Sequence, residues 1–238
     1  MVETAAAERG EFKEGFYAGT GIAIGYFPAA LTYGLLAKSA ELSFVETMSL
    51  SIFVFAGAAQ YIAISLIALG TGIFEIVLTT FILNIRHFLM SAALNEKAED
   101  ESFWKKAAYS FGVTDETFSV ASMRKGSINA SYMAGLIIIS YSSWVISSGL
   151  GYMAGNALPQ VVQESMGVAL YAMFIGLLVP LLKTSHKAII LAGTAALLNC
   201  IFIYSDTLSS GWAIIVSTLL AAVSIEAADQ MKRKGQSL

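Results

Sequence analysis

The chain is short of charge. Asp, Glu, Lys and Arg together make 13% of its 238 residues while hydrophobic types make 56%, and a soluble domain carries about 25% charged residues. So little charge cannot cover a soluble surface. A mean hydropathy of +0.69 points instead to a polytopic membrane protein. Cysteine is almost absent. Cys200 is the single one, so no internal disulfide forms, and no Cys/His cluster has metal spacing. The net charge of -3 is close to neutral, and no basic tract suggests a nucleic-acid partner. Catalytic signatures are missing as well: there is no HExxH, no GxSxG and no Gly-rich phosphate loop. The chain therefore reads as a non-enzyme with no cofactor and no metal. Residues 1–15, MVETAAAERGEFKEG, mix both signs of charge and lack the plan of a signal peptide. The first apolar run is then expected to be retained as a span.

What the sequence has is long apolar runs. A membrane helix needs about 20 mostly apolar residues, and seven segments qualify: 16–37, 46–69, 72–94, 129–153, 164–182, 187–204 and 211–228. The expected fold is all-α, polytopic, with about seven transmembrane helices in a single domain over 1–238. A short polar segment, 1–15, precedes them and a basic tail, 229–238, follows. The stretch 109–123, YSFGVTDETFSVASM, carries Asp115 and Glu116 and is too short to cross comfortably. It is expected to be re-entrant or broken, and there are eight spans if it crosses. Lys97, Lys105, Lys106, Arg124, Lys125, Lys183, Lys187 and the tail lysines mark the cytoplasmic side. Seven spans put these on one side with the N-terminus outside, leaving Arg9 and Lys13 as misfits. Eight spans accommodate Arg9 and Lys13 but misplace Lys97, Lys105 and Lys106. The triplets 16–94 and 164–228 share a length rhythm, and each opens on a helix with glycines and a proline (Pro28, Pro180). This hints at the inverted repeat of secondary transporters.

Polar residues inside the spans are the candidates for function. Glycines 15, 19, 21, 25 and 34 surround Pro28 in the first span, so a kink or break is expected near Tyr26–Pro28. Its freed backbone groups would suit a carboxylate, while close packing through Gly15/Gly19 and Gly21/Gly25 is the competing account. In the second span, Gly57 lies in a run of small residues before Gln60, an amide that bonds either a neighbouring helix or a substrate. In the third, Thr80, Asn84, His87 and Ser91 fall on one narrow stripe, which must face other helices, a second protein or a watered cavity. His87 is either a structural residue or a proton-coupling one. Arg86 points elsewhere, too far from Glu75 to pair with it, and needs Asp115 or Glu116 folded back against it. It is either a pairing residue or a carboxylate anchor. Ser140, Ser143, Ser147 and Gly151 on the fourth span read as a packing face. Tyr171, Phe174 and Asn199 are weaker candidates for an apolar lining.

An ordered set of motifs resembles the AzlC family of branched-chain amino acid permeases, the LIV-E exporters. It runs from Phe27-Pro28 and Gly34 to Ser51, Phe55-Ala56-Gly57-Ala58-Ala59-Gln60 and Leu83-Asn84-Ile85-Arg86-His87. It continues through Thr114-Asp115-Glu116-Thr117-Phe118 and Ala172-Met173-Phe174-Ile175-Gly176-Leu177. The resemblance covers about residues 15–182. It implies a multi-pass protein of the inner (cytoplasmic) membrane that exports branched-chain amino acids, with methionine as a related substrate. It also implies the proton gradient as energy source and a small, separately encoded membrane subunit of the AzlD type as partner. An uncoupled channel, or a membrane enzyme or assembly subunit without transport, are the alternatives. Tyr26, Pro28, Gly57, Gln60 and Asn84 are the expected substrate contacts, and Thr80, Arg86, His87, Asp115 and Glu116 the coupling or structural polar set.

Overall fold

The computed structural model describes residues 2–155, 175, 178–179, 182–183 and 185–235. Among these the protein is helical. The helices are α1 (Val2–Ala18), α2 (Thr20–Ser39), α3 (Phe44–Phe53), α4 (Gly57–Ala68), α5 (Ile73–Asn95), α6 (Phe103–Ser110), α7 (Asp115–Met123), α8 (Ala130–Ala154), α9 (His186–Tyr204) and α10 (Ser210–Gly235). Five stretches are long and apolar enough to cross a membrane: α2, α5, α8, α9 and Gly211–Ala228 of α10. The expected span 164–182, with Tyr171, Phe174 and Pro180, lies almost wholly outside the described residues. The chain divides into two compact units, Met1–Ile64 with Leu83–Leu170, and Ser65–Ile82 with Tyr171–Leu238.

In the first unit α1 and α2 run on from one another. Gly19 N donates to Gly15 O at 3.0 Å and Ala23 N to Gly19 O at 2.9 Å, so the residues expected as a polar lead-in form a helical extension of the first span. Both helices lie along α8 at backbone contact. A Cβ on Gly15 would meet the Tyr132 carbonyl oxygen at 2.0 Å, one on Gly34 that of Ser148 at 2.0 Å, one on Gly135 that of Phe12 at 2.1 Å and one on Gly151 that of Leu31 at 2.0 Å. Without water to drive association, such close approach is what holds membrane helices together. The fully buried Ser140 and Ser148 lie on the packed side of α8, and Ser143 Oγ donates across the seam to Ala23 O at 2.6 Å. The serine face of the fourth span is thus a packing face. Gly15 and Gly19 belong to the seam, whereas Gly21 and Gly25 have nothing within 4 Å of an added Cβ.

Contacts along α8 give the course of the remaining helices. Going down α3, Phe44 meets Tyr152 edge to face, Ser51 Oγ bonds Ser148 Oγ and Ile52 O takes the Tyr141 hydroxyl. Going along α4, Gly57 abuts Trp144, and Tyr61 meets Tyr33 edge to face and donates to Ala29 O. So α3 descends to the level of Tyr141 and α4 turns back. The single span expected over 46–69 is instead a re-entrant hairpin. Its 10-residue and 12-residue arms reach only about 15 and 18 Å, short of the roughly 30 Å hydrocarbon core. The hairpin α6–α7 enters from the opposite end. Lys105 shares a cavity with Glu8 and Ala130, Phe111 reaches Tyr141, and Arg124 returns to Glu11 and Glu14. This is the re-entrant form expected of 109–123.

Because α3–α4 does not cross, the parity of the topology changes. Arg9 and Lys13 come to the same end of the unit as Lys97, Lys105, Lys106, Arg124 and Lys125. By the positive-inside rule the N-terminal end of α1 then lies on the cytoplasmic side, which is the side that the eight-span alternative gave it and the seven-span alternative did not. Ion pairs tie this end together. Arg124 Nη1 lies 2.9 Å from Glu11 and Nη2 3.0 Å from Glu14. Hydrogen bonding to Glu11 raises the Arg124 pKa above its ordinary value, so the guanidinium of the clamp stays charged. Lys97 Nζ donates to the Ser122 and Arg124 carbonyls, closing the end of α7.

In the second unit α9 packs on α10, with Lys187 Nζ 2.7 Å from Glu226. Glu75, the acid too distant for Arg86, accepts the amide of Trp212 at 2.8 Å and the hydroxyl of Ser209 at the start of α10, where the helix dipole favours a negative charge.

Candidate functional site

Each hairpin breaks its helix at a tip, and the two tips meet in the first unit. The α3–α4 tip is Val54–Ala56, with Phe55 held at φ 39°. This is left-handed backbone that a bulky residue rarely adopts. Such strain persists only where the surroundings enforce it, and Phe55 is 2% exposed. Its ring lies 6.4 Å from that of Phe111 on the other tip, 5.0 Å from Tyr141 and 6.2 Å from Tyr26. The Tyr141 hydroxyl donates to Ile52 O at 2.9 Å and so caps a carbonyl that the end of α3 leaves open. On the far side of the break, Gln60 N donates to Ala56 O, so the amides of Gly57, Ala58 and Ala59 form the positively polarised start of α4.

The opposing tip is polar. Thr114 caps α7, with its hydroxyl accepting from Thr117 N and the Thr117 hydroxyl accepting from Thr114 N. Asp115 and Glu116 occupy the first turn, where the dipole stabilises their charge. Tyr26 Oη donates to Glu116 at 2.6 Å and accepts from Thr114 Oγ1 at 2.8 Å. Arg86 Nη1 lies 2.9 Å from Asp115. The acid that Arg86 required is therefore Asp115, and the adjacent Glu116 faces Tyr26. The charges bearing on His87 are Arg86 and Glu116.

A second chain of bonds braces the hub. Trp144 Nε1 donates to Gln60 Oε1 at 2.9 Å, Gln60 Nε2 to Ser51 Oγ at 3.2 Å, Ser51 Oγ to Ser148 Oγ at 2.9 Å, and Ser148 Oγ to the Trp144 carbonyl at 2.8 Å. Gln60 is 1% exposed with both ends of its amide engaged, which is the neighbouring-helix role. Gly57 is glycine because the Trp144 ring fills its space, 2.7 Å from where a Cβ would stand. Replacing Gln60 by leucine strands the Trp144 N–H and is expected to cost about 1–3 kcal/mol. A fall in the thermal unfolding midpoint in detergent measures it, and an unchanged midpoint would refute the brace.

The expected residues separate into groups. Tyr26, Gly57, Gln60, Arg86, Asp115 and Glu116 converge on the hub. Pro28 does not. Helix α2 runs unbroken from Thr20 to Ser39 with Pro28 inside it, on an exposed face with Ile24 and Gly25. The break expected near Tyr26–Pro28 is thus absent, because α2 is held along α8 by the glycine seam, and the break occurs at Val54–Ala56 instead. Thr80 folds back onto Ile76 O and Val77 O and belongs to the second unit. Asn84, His87 and Ser91 are half-buried on α5, beside an exposed face of Phe81, Ile85 and Phe88. Asn84 Oδ1 and Arg86 Nε are buried without a hydrogen-bond partner among the described residues. Such groups are costly in a dry interior and mark where a ligand or water would bond. Phe111, Tyr141 and Trp144 were missed as site residues. Their sequence signal, aromatics among small and polar residues, is common to packed helices.

Comparison with known proteins supplies the family. The family model described as "AzlC protein" matches residues 21–158. An uncharacterised membrane protein of Archaeoglobus fulgidus is 33% identical over 78% of this chain and 83% of its own. The inner membrane protein YgaZ of Escherichia coli is 27% identical over 89% of this chain and 90% of its own. An uncharacterised membrane protein of Helicobacter pylori is 25% identical over 74% and 78%. No solved structure matches the chain significantly. With its family model spanning both hairpins and their tips, the chain belongs to the AzlC family and is a multi-pass membrane protein.

Proposed function

We propose that the protein is a secondary-transporter subunit that exports branched-chain amino acids and related neutral ones. In this reading the proton gradient drives export and a small AzlD-type membrane subunit completes the transporter. The observation that carries the reading is the meeting of two opposed helix breaks, one aromatic and one acidic, beside Arg86 in the first unit. An amino acid is a zwitterion with an apolar tail, and the tips offer the matching parts. The start of α4 presents backbone amides to a carboxylate, the acids of α7 suit an ammonium, and Phe55, Phe111 and Tyr141 suit a branched aliphatic chain. Asn84 Oδ1, without a hydrogen-bond partner among the described residues, is a further acceptor for the ammonium. Such a pocket separates valine, leucine and isoleucine weakly, because one methylene is worth about 1–3 kcal/mol. Glu116, bonded to Tyr26 and near His87, is the group through which a proton would couple. No chemical transformation is assigned to the site.

Efflux of labelled valine from proteoliposomes, with and without a small subunit, under imposed pH gradients tests this. The reading expects efflux that needs the small subunit and accelerates with the proton gradient. Efflux that ignores the gradient would instead mark a facilitator. No translocation with the subunit present would mark a non-transporting membrane protein.

A further inference from the structure

Away from the hub, the cytoplasmic end of the first unit holds a cavity of about 410 Å³ between α1, α6 and α8, within the size range of ligand sites. It is polar at one end and apolar along the rest. Glu8 and Lys105 line it beside Ala130 and Ser131 at the start of α8, and Phe12, Ala134, Ile137 and Ile138 continue it up the helix. From Ala130 to Ile138 the apolar wall rises about 12 Å along α8, a span-forming helix that gives the direction of the bilayer normal. Its upper edge opens sideways, where Ile138 is 49% exposed. Phe103 and Trp104, 73% and 79% exposed, flank the polar end on α6, the position that aromatic side chains take at a headgroup layer.

We infer that this groove is a specific site for one membrane phospholipid whose headgroup carries both a phosphate and a primary ammonium. An acyl chain lies along Ala134, Ile137 and Ile138, the phosphate meets Lys105 and the ammonium meets Glu8. The orientation is that of a lipid in the inner leaflet, with charge at the cytoplasmic end and hydrocarbon toward the core. Both charges are available. The nearest acid to Lys105 is Glu101 at 3.9 Å, and Glu101 is occupied with the amide of Ala130 at 2.8 Å. Glu8 makes no ion pair among the described residues. A purely anionic head would leave Glu8 facing like charge, and a trimethylated head has no N–H to donate to it.

The test is native mass spectrometry of the full-length, delipidated protein titrated separately with phosphatidylethanolamine, phosphatidylglycerol and phosphatidylcholine. Phosphatidylethanolamine is expected to bind about fivefold more tightly than either of the others, as one interfacial ionic contact allows. Glu8→Gln removes that preference while leaving binding of phosphatidylglycerol intact or stronger. Lys105→Ala weakens both phosphatidylethanolamine and phosphatidylglycerol, and Ala108→Phe, at an exposed cavity-lining position, blocks all three. Equal binding of the three lipids by the wild-type protein, or a preference that survives Glu8→Gln, overturns the assignment. So does displacement of bound phosphatidylethanolamine by millimolar valine or leucine, which would make the groove an amino acid site. None of these readings depends on transport.

Discussion

Arg86→Leu is expected to reduce valine efflux by about tenfold or more and to destabilise the first unit. The Arg86–Asp115 pair is about one-third exposed on each side, so its own attraction is screened to about 1 kcal/mol. The larger effect is what removal leaves behind. Asp115 and Glu116 would then share the first turn of α7, inside the membrane, without a cation. That residual cost is about 2 kcal/mol after discounting for solvent. The double change Arg86→Asp with Asp115→Arg is expected to restore part of the stability only, because it sets an arginine where the α7 dipole favours an acid. Thermal unfolding in detergent and proteoliposome efflux read the two effects separately. Full transport by Arg86→Leu would remove the pair from the mechanism, and a swap that recovers nothing would show that contact geometry, not charge, is what matters there.

The largest expected loss of stability belongs to the glycine seam. In Gly151→Ala the new methyl group would stand 2.0 Å from Leu31 O, and the obstacle is backbone, which cannot rotate away. The two helices must part, and the cross-seam bond of Ser143 to Ala23 O and that of Tyr152 to Leu42 O stretch with them. Overpacking against a rigid neighbour costs about 3 kcal/mol. Gly21→Ala is the matched control. It lies on α2 with nothing within 4 Å of the added atom, so stability should stay within about 0.5 kcal/mol of wild type. Thermal unfolding followed by size exclusion compares the two, and equal midpoints would contradict the seam.

Most long helices were legible in the sequence, because hydropathy reports what faces lipid, and α8 and α9 begin and end within a residue or so of the apolar runs. Arg86 was legible for a related reason: a charge at mid-helix must find its opposite, and few acids lay within reach. The hairpin over 44–68 was not legible. Its arms are as apolar as a true span, and composition cannot distinguish one crossing from an entry and a return. What betrays the tip is Phe55 at positive φ, a backbone property that the side chain does not advertise. Pro28 misled for the converse reason. Proline weakens a helix locally, but close packing on both sides of it along α8 keeps α2 unbroken. A return over 44–68 in place of a crossing removes one span from the parity, which brings Arg9 and Lys13 into line with Lys97, Lys105, Lys106, Arg124 and Lys125 in the first unit.

The claim on which the rest depends is that solute passes where the two tips meet. In a Cys200→Ser background, Phe55→Cys and Phe111→Cys place thiols on opposite tips whose rings lie 6.4 Å apart. Joining them with a short, reducible, bifunctional thiol-reactive crosslinker in proteoliposomes should arrest labelled valine efflux, and reduction should restore it, with either single variant inhibited less by the reagent. Crosslinked protein that exports valine at the uncrosslinked rate would show that the path lies elsewhere.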